Sequence, residues 1–463
     1  MPRTPRPIRA MQVAELDLDA LAPPDPDTTG ATDTTGATDT TGATDTTDTT
    51  GAVGPAPGHG VLALRPGPGG APVGTGEVFV LVRHRGRPVG TITATVPEGA
   101  DPAGTLAALA RERLGPVPAP EPEPHGDLPR TSVVVASRER ADLLARALDS
   151  LLAQDHPDFE IVVVDNAPVT DATRELVEHK YSDRSDRVRY VHEPVPGLAV
   201  AHNRGVAAAD GAVIAFTDDD VVADPHWLTA LTAPFAGDPR IGCVTGLILP
   251  ARLTTPAQIL LESHGGFAKG FAPRTYDPAR PPADEPLFPF TAGRFGSGAN
   301  MAFRTRVLKA VGGFDPATGT GTAARGGDDL YAFVRILADG HRLRYTPDAL
   351  VWHHHRETAQ DLRNQAYGYG AGLTAYLTAL IARRPDLLPA LLARLPRGLA
   401  HARAMTAHRD GGPDGVPGEH GTDSHPWPRS LSRLERRGML AGPIGYAKAR
   451  RRVRGLPLPW ENR

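Results

Sequence analysis

The chain has a single cysteine, Cys243, among its 463 residues. That excludes an intramolecular disulfide framework and a cysteine-built zinc site, and it fits a reducing cytoplasm. Lysine is nearly as scarce, confined to Lys180, Lys269, Lys309 and Lys448. Aromatic residues make up 5% of the chain and the formal net charge is −3. No basic face interleaved with aromatics is present, so nucleic acid is not an expected partner. Long apolar runs are missing as well. The longest uncharged stretch, between Arg363 and Arg383, is broken by Gly368, Gly370 and Gly372, whereas a bilayer span needs roughly 20 apolar residues. The arginines of residues 1–10 are not backed by an apolar core, so no secretory signal is expected. A helix lying on a membrane surface stays open.

What is abundant is Gly (50), Pro (47) and arginine, a composition that points to a GC-rich bacterial genome. Residues 28–52 repeat Thr, Asp, Gly and Ala without a large apolar side chain. Such a stretch cannot bury enough surface to offset its ordering entropy, so residues 1–75 are expected to be a disordered tail. Residues 77–83 (EVFVLVR) and 91–96 (TITATV) read as strands and 103–114 as a helix. They form a small ββα unit over 76–115, followed by a proline-rich linker over 116–130. From 131 onward, continuous β-branched runs at 132–136 (SVVVA), 160–164 (EIVVV) and 212–216 (AVIAF) alternate with helical patterns at 141–153, 171–179 and 199–209. A short strand is read at 188–192. This alternation predicts an α/β domain with a doubly wound sheet over 131–357. Residues 358–463 are expected to form a helical region, with a basic cluster at 448–454 (KARRRVR).

In such sheets ligands bind beyond the carboxyl ends of the strands. Three strands end there in polar residues: Ser137, Arg138, Glu139 and Arg140; Asp165 and Asn166; and Thr217, Asp218, Asp219 and Asp220. The aspartate triplet is the sharpest signal. Two carboxylates at a strand end suit Mg²⁺ or Mn²⁺, which in turn bind a diphosphate. An isolated acidic triplet is more often a solvated loop, but this one directly follows a buried strand, and like charges held so close call for a cation. Asp165 is equally readable as a hydrogen-bond acceptor for a nucleotide base or ribose and as a cap for the turn after it.

Taken together, the motifs of residues 131–357 resemble the inverting family 2 glycosyltransferases with the GT-A fold, over roughly half of the chain. TSVVVASRER resembles the family's first strand and nucleotide loop. EIVVVDNAP resembles its second strand, and GLAVAHNRG its Gly-x-x-x-Ala-Arg-Asn-x-Gly segment. FTDDDVV resembles the Asp-x-Asp metal motif, and GSGANMAFRTRVLKAVGGFD the acceptor-side segment. GGDDLYAFVRILADGHRLRYTPDALVWHHH resembles the base helix and histidine strand.

The resemblance implies a GT-A mixed sheet, a nucleotide-sugar donor, a divalent metal (Mg²⁺ or Mn²⁺), and transfer to a sugar, lipid-linked or small-molecule hydroxyl in cell-envelope or secondary-metabolite glycosylation. It implies Asp329 as general base with Asp328 beside it. Donor contacts fall on Ser137, Arg138, Glu139, Asp165, Asn203, Asp218 and Asp219. Metal ligands fall on Asp218, Asp220 and His353, with His355 as the alternative. The loop Gly298, Ala299 and Asn300 is implied to border donor and acceptor. Acidic residues also suit a helix N-terminus through its dipole, and of three consecutive histidines strand alternation lets only His353 and His355 share a side. Phe314 and Asp315 read as a structural turn. His202 stands where the family has arginine, Asp328 where glutamate is commoner, and Ala136 where proline is common. No Gln-x-x-Arg-Trp segment follows the base helix, which favours transfer of one sugar over polymer synthesis. A nucleotidyltransferase would need a Gly-rich loop that residues 137–140 lack. A non-catalytic nucleotide-sugar-binding protein is disfavoured by the intact aspartates. The basic cluster at 448–454 suggests peripheral contact with an anionic membrane, the alternative being a solvated helix.

Overall fold

The computed structural model describes residues 8–20, 61–116, 126–264, 266–394, 396 and 427–461. Two sheets carry the architecture. The smaller holds four strands in the order β2-β1-β3-β4: β1 (Gln12–Ala20), β2 (Val61–Pro66), β3 (Gly76–His84) and β4 (Arg87–Val96), with helix α1 (Pro102–Leu114) on one face. This corrects the expectation that residues 1–75 form a tail. β1 runs parallel to β3 and antiparallel to β2, a central place in the sheet. The repeat of residues 28–52 hides this, because it separates the two strands and carries no signal of its own. That repeat lies outside the described residues, as do 117–125 of the expected linker.

The physical reason for β1 lies in β3. EVFVLVR is a strand buried on both faces. Val78, Val80 and Val82 face α1 through Leu106, Ala107 and Ala110. Phe79 and Leu81 face the other way, against Leu247, Leu249, Leu350 and Trp352 of the large sheet. A strand covered on both faces needs hydrogen-bonded neighbours on both edges, and β1 and β4 supply them.

The large sheet has nine strands: β5 (Thr131–Ser137), β6 (Phe159–Asn166), β7 (Val188–Glu193), β8 (Val213–Asp218), β9 (Val221–Ala223), β10 (Ile241–Pro250), β11 (Arg274–Tyr276), β12 (Asn300–Arg304) and β13 (Arg342–His353). Their order is β11-β13-β10-β12-β8-β5-β6-β7, with β9 paired to β13. β5, β6, β7 and β8 are mutually parallel, and β12 enters antiparallel between β8 and β10. The sheet is therefore mixed, as expected. Helices cover both faces: α2 (Ala141–Leu152), α3 (Ala172–Glu175), α4 (Leu198–Ala208), α5 (Trp227–Gly237), α6 (Pro256–Ser263), α7 (Thr305–Ala310) and α8 (Asp328–Ala338). Valines alternate accordingly: Val133 and Val135 of β5 pack with α2, while Val134 packs with α4. The expected helix at 171–179 is shorter, since α3 passes into a wider turn over Leu176–Lys180.

Two long helices follow the sheet, α9 (Ala359–Arg383) and α10 (Arg429–Arg452). They pack backbone to backbone through glycines. A Cβ on Gly370 would stand 1.9 Å from Glu435 O, and one on Gly438 would stand 2.1 Å from Tyr367 O. Asp315, in the turn after α7, anchors the pair. It is buried, accepts hydrogen bonds from Arg383 of α9 and Tyr446 of α10, each at 3.0 Å, and also accepts from the Ala317 backbone. Among the described residues no helix is long and apolar enough to cross a membrane.

Candidate active site

Strand register brings the polar strand ends together. Ala136 pairs with Asp218 and Ser137 with Asp165, so β5, β6 and β8 end on one edge. The chain then reverses through Asp219 and Asp220 into β9, whose Val221 pairs with His353 at the end of β13. A residue 133 positions away in sequence thus lands beside the aspartates. His353 Nε2 lies 3.2 Å from Asp220 Oδ1 and 4.0 Å from Asp218 Oδ2. The candidate ligand atoms of Asp218, Asp220 and His353 all fall within 4.8 Å of one another.

The environment of this cluster suits a divalent cation. Burial and the neighbouring Asp220 push Asp218 up to about 7. Asp220 is also penalised by burial, but His353, Arg140 and Arg356 outweigh that and hold it below the ordinary carboxylate range. His353 is raised, because Asp220 and Asp218 outweigh its own burial. Carboxylates so crowded that one of them favours its proton are poised for a cation. Asp220 Oδ1 is buried without an aligned hydrogen-bond donor, while the Asp218 side chain keeps 35% of its surface open. Two carboxylates and an imidazole form a donor set that fits Mn²⁺ or Mg²⁺.

His355 does not join the cluster. Its Nδ1 lies 3.1 Å from His353 Nδ1, and its Nε2 meets Glu262 Oε2 at 3.2 Å. It backs His353 and fixes the ring that faces the aspartates. His354 turns away from the pair, and its backbone N–H donates to Asp220 O at 2.9 Å.

The remaining residues separate into those that face the cleft and those that frame it. Asp165 is fully buried; Oδ2 accepts from Tyr190 at 3.0 Å, whereas Oδ1 has no donor. Burial raises its pKa. Arg138 is exposed, next to the Ser137 that pairs with Asp165, and forms no salt bridge among the described residues. Ser137 donates to Asp219 Oδ2 at 2.8 Å, and Arg140 donates to Asp219 Oδ1 at 2.8 Å and Asp220 Oδ2 at 3.2 Å. Asp219 therefore locks the aspartate turn to β5.

Three candidates are engaged elsewhere. Both carboxylate oxygens of Glu139 are taken by the turn at Val169 and Thr170. The two ends of the Asn203 amide clamp the backbone of Phe314. Asn300 is buried between strands, accepting from Trp227 Nε1 and donating to Leu247 O and Ala349 O. Asn300 thus departs from the expected donor–acceptor loop: at the start of β12 its side chain satisfies strand carbonyls inside the sheet. Ala299 is likewise buried and accepts from Thr217 through its carbonyl.

Gly298 does reach the cleft. Its N–H donates to Asp329 Oδ2 at 2.9 Å, and the Leu330 N–H donates to Oδ1 at 2.8 Å. Asp329 sits in the first turn of α8. The turn before it is set by Gly327, whose φ of 87° and position against Gly372 exclude a side chain. Burial and the neighbouring Asp328 push Asp329 up to about 6 against the pull of the two backbone donors. Asp328 is buried with Oδ2 3.3 Å from His202 Nδ1, and the His202 ring packs edge-on to Phe216 and against Phe314. Two of the three departures from the family pattern, His202 and Asp328, therefore face each other.

Sequence reasoning missed the opposite wall. Phe267, in the loop after α6, packs 5.5 Å from His353 and 6.5 Å edge-on from Tyr369 of α9. Gln365 holds the Tyr369 hydroxyl at 2.7 Å. Lys269 has no hydrogen-bond or ion-pair partner among the described residues, and burial, then Arg294, lower its pKa against the pull of Asp329. No motif marks these residues, because they come from loops and helices outside the strand-end pattern.

Residues 132–312 match the family described as Glycosyl transferase family 2. The chain is 35% identical over 113 residues to an uncharacterized glycosyltransferase of Nostoc, covering 24% of this chain and 35% of that protein. It is 28% identical over 287 residues to the pre-mycofactocin glycosyltransferase of Mycobacterium tuberculosis, covering 60% of this chain and 54% of that protein. The chain thus spans between a third and just over half of the length of these relatives. A mannosyltransferase from Pyrobaculum calidifontis, solved with GDP-Man and Mn²⁺, aligns at 20% identity and a TM-score of 0.45, covering 73% of this chain and 93% of that one.

Proposed function

We propose that the chain is a family 2 glycosyltransferase of GT-A type, the family whose model matches residues 132–312, and that it moves a single sugar from a nucleoside-diphosphate sugar to an acceptor hydroxyl with inversion at the anomeric carbon. The observation that carries this reading is a pair of carboxylate centres with His202 as a common neighbour, a candidate metal cluster at Asp218, Asp220 and His353 and a separate carboxylate, Asp329, with a raised pKa.

In this reading the nucleotide base lies against Asp165, whose unpartnered Oδ1 accepts an N–H. Arg138 faces the diphosphate. Asp218, Asp220 and His353 would hold Mg²⁺ or Mn²⁺, which when bound supplies positive charge against the diphosphate. Asp329 takes the proton of the acceptor hydroxyl as its oxygen bonds to the anomeric carbon. The bond from that carbon to the phosphate oxygen breaks, and its electron pair leaves with the nucleoside diphosphate. A pKa near 6 suits a base that is ionised at neutral pH yet keeps affinity for a proton. Gly298 and Leu330 hold both carboxylate oxygens in place. The acceptor ring stacks on Tyr369, opposite the donor.

Replacing Asp329 with Asn tests the base. Turnover is expected to fall by about 100- to 10,000-fold, the span typical of a lost general base, while calorimetric binding of the donor with Mn²⁺ is kept. A variant that binds donor and turns over at the parent rate would remove the assignment. Tyr369→Ala is expected to raise the acceptor KM with little change in the donor KM, measured by initial rates in both substrates.

A further inference from the structure

The inner side of α10 is lined mainly by small residues, Gly438, Gly442, Gly445 and Ala449, together with the larger Leu431 and Tyr446, all buried. Its outer side is different. Leu440 is 80% exposed and Ile444 61% exposed, among the largest apolar side chains left open in the described residues. At about 100° per residue these two stand within about 40° of each other on the helix, so they form one ridge. Arg433, Arg436 and Arg437 flank it on the N-terminal side, and Lys448, Arg451 and Arg452 on the C-terminal side, all exposed. The helix carries eight basic residues and one acidic one, Glu435. None of the six flanking cations has a carboxylate partner among the described residues.

We propose that the outer face of α10 docks on an anionic lipid bilayer, with Leu440 and Ile444 inserted among the acyl chains and the flanking arginines and Lys448 on lipid phosphates. The charge pattern selects this partner. A surface this basic calls for a polyanion, and an apolar ridge at its centre calls for an apolar layer directly beneath the anionic one. A nucleic acid offers the charge without that layer, and the ridge presents no aromatic ring for stacking on bases. Arginine and lysine stems can lie along the interface while their heads stay hydrated, which lets the helix lie flat. Because α10 packs directly on α9, docking would bring Tyr369 and the cleft mouth to about one helix diameter, roughly 10 Å, from the bilayer surface. The inference stands apart from the transfer reading, since it concerns a face with no residue of the cleft.

The test is co-sedimentation of the full chain with vesicles of equal phosphatidylglycerol and phosphatidylcholine, and with pure phosphatidylcholine, at low and high salt. Binding is expected on the anionic vesicles alone and should weaken with salt. Leu440→Ser/Ile444→Ser should weaken partition by at least ~10-fold. Arg433→Gln/Arg437→Gln/Arg451→Gln should abolish the preference for anionic lipid. Thermal melts of both variants should match the parent, because the substituted side chains are exposed. Three results would overturn the proposal. One is equal binding to both vesicle types. Another is anionic binding unchanged in the Ser variant. The third is a dimer in sedimentation velocity that the Ser variant dissolves, which would assign the face to a second copy of the chain.

Discussion

At the scale of single residues, the site depends on carboxylates in unequal environments. Asp329 is enclosed among Asp328, His202, Lys269 and Tyr369, and burial with the Asp328 charge raises it to about 6. The sign of the pH effect follows from its proposed role as the base. A base works when deprotonated, so turnover should rise with pH through about 6 and level off above it, read as kcat against pH at saturating donor and metal. A flat profile between pH 5 and 7.5 would separate Asp329 from the proton transfer. At this scale the sequence was informative, because Asp218, Asp220, Asp329 and His353 stand in ordered motifs. It was less so for Asn203, Asn300 and Glu139. An Asn or Glu in a loop reads alike whether its amide or carboxylate meets a ligand or a neighbouring protein group, and here neighbouring backbone and side chains take all three.

At the scale of elements, the cleft is bounded by helices fixed far from it. Asp315 ties the turn after α7 to both α9 and α10, with its side chain fully buried. Asp315→Asn keeps the size but removes the charge that Arg383 and Tyr446 meet. It should cost about 1–3 kcal/mol, the range for a hydrogen-bonded group left poorly matched in the interior, read as a lower midpoint in urea unfolding. An unchanged midpoint would mean that α9 and α10 are held by their glycine contacts alone. A helical region over 358–463 was legible in outline, though not the bounds of its two long helices. Their pairing was not, because glycines in a helical stretch give no sign of the backbone they will meet.

At the scale of the whole molecule, the small sheet braces the large one near the aspartate turn. Arg83 of β3 reaches Asp224 at 2.6 Å, just after β9, and Glu15 of β1 at 2.7 Å. Binding at Asp218, Asp220 and His353 should therefore be felt as global stability. Mn²⁺ at about 100 times its Kd should stabilise the fold by about 2.7 kcal/mol by mass action. That appears as a rise in Tm, absent in an Asp218→Ala/Asp220→Ala variant; an equal rise in both would place the ion elsewhere. By itself the sequence determined the α/β class, the strand ends that bear chemistry and the order of the motifs, because buried parallel strands and their polar ends leave a local, periodic record. Only the tertiary structure decided that β1 belongs to the small sheet, that His353 and not His355 faces the aspartates, that His202 meets Asp328, and that Phe267 and Tyr369 wall the cleft. Each of these depends on strand register or helix packing between residues distant along the chain, and such contacts are set by how surfaces fit once folded, not by any pattern within one segment.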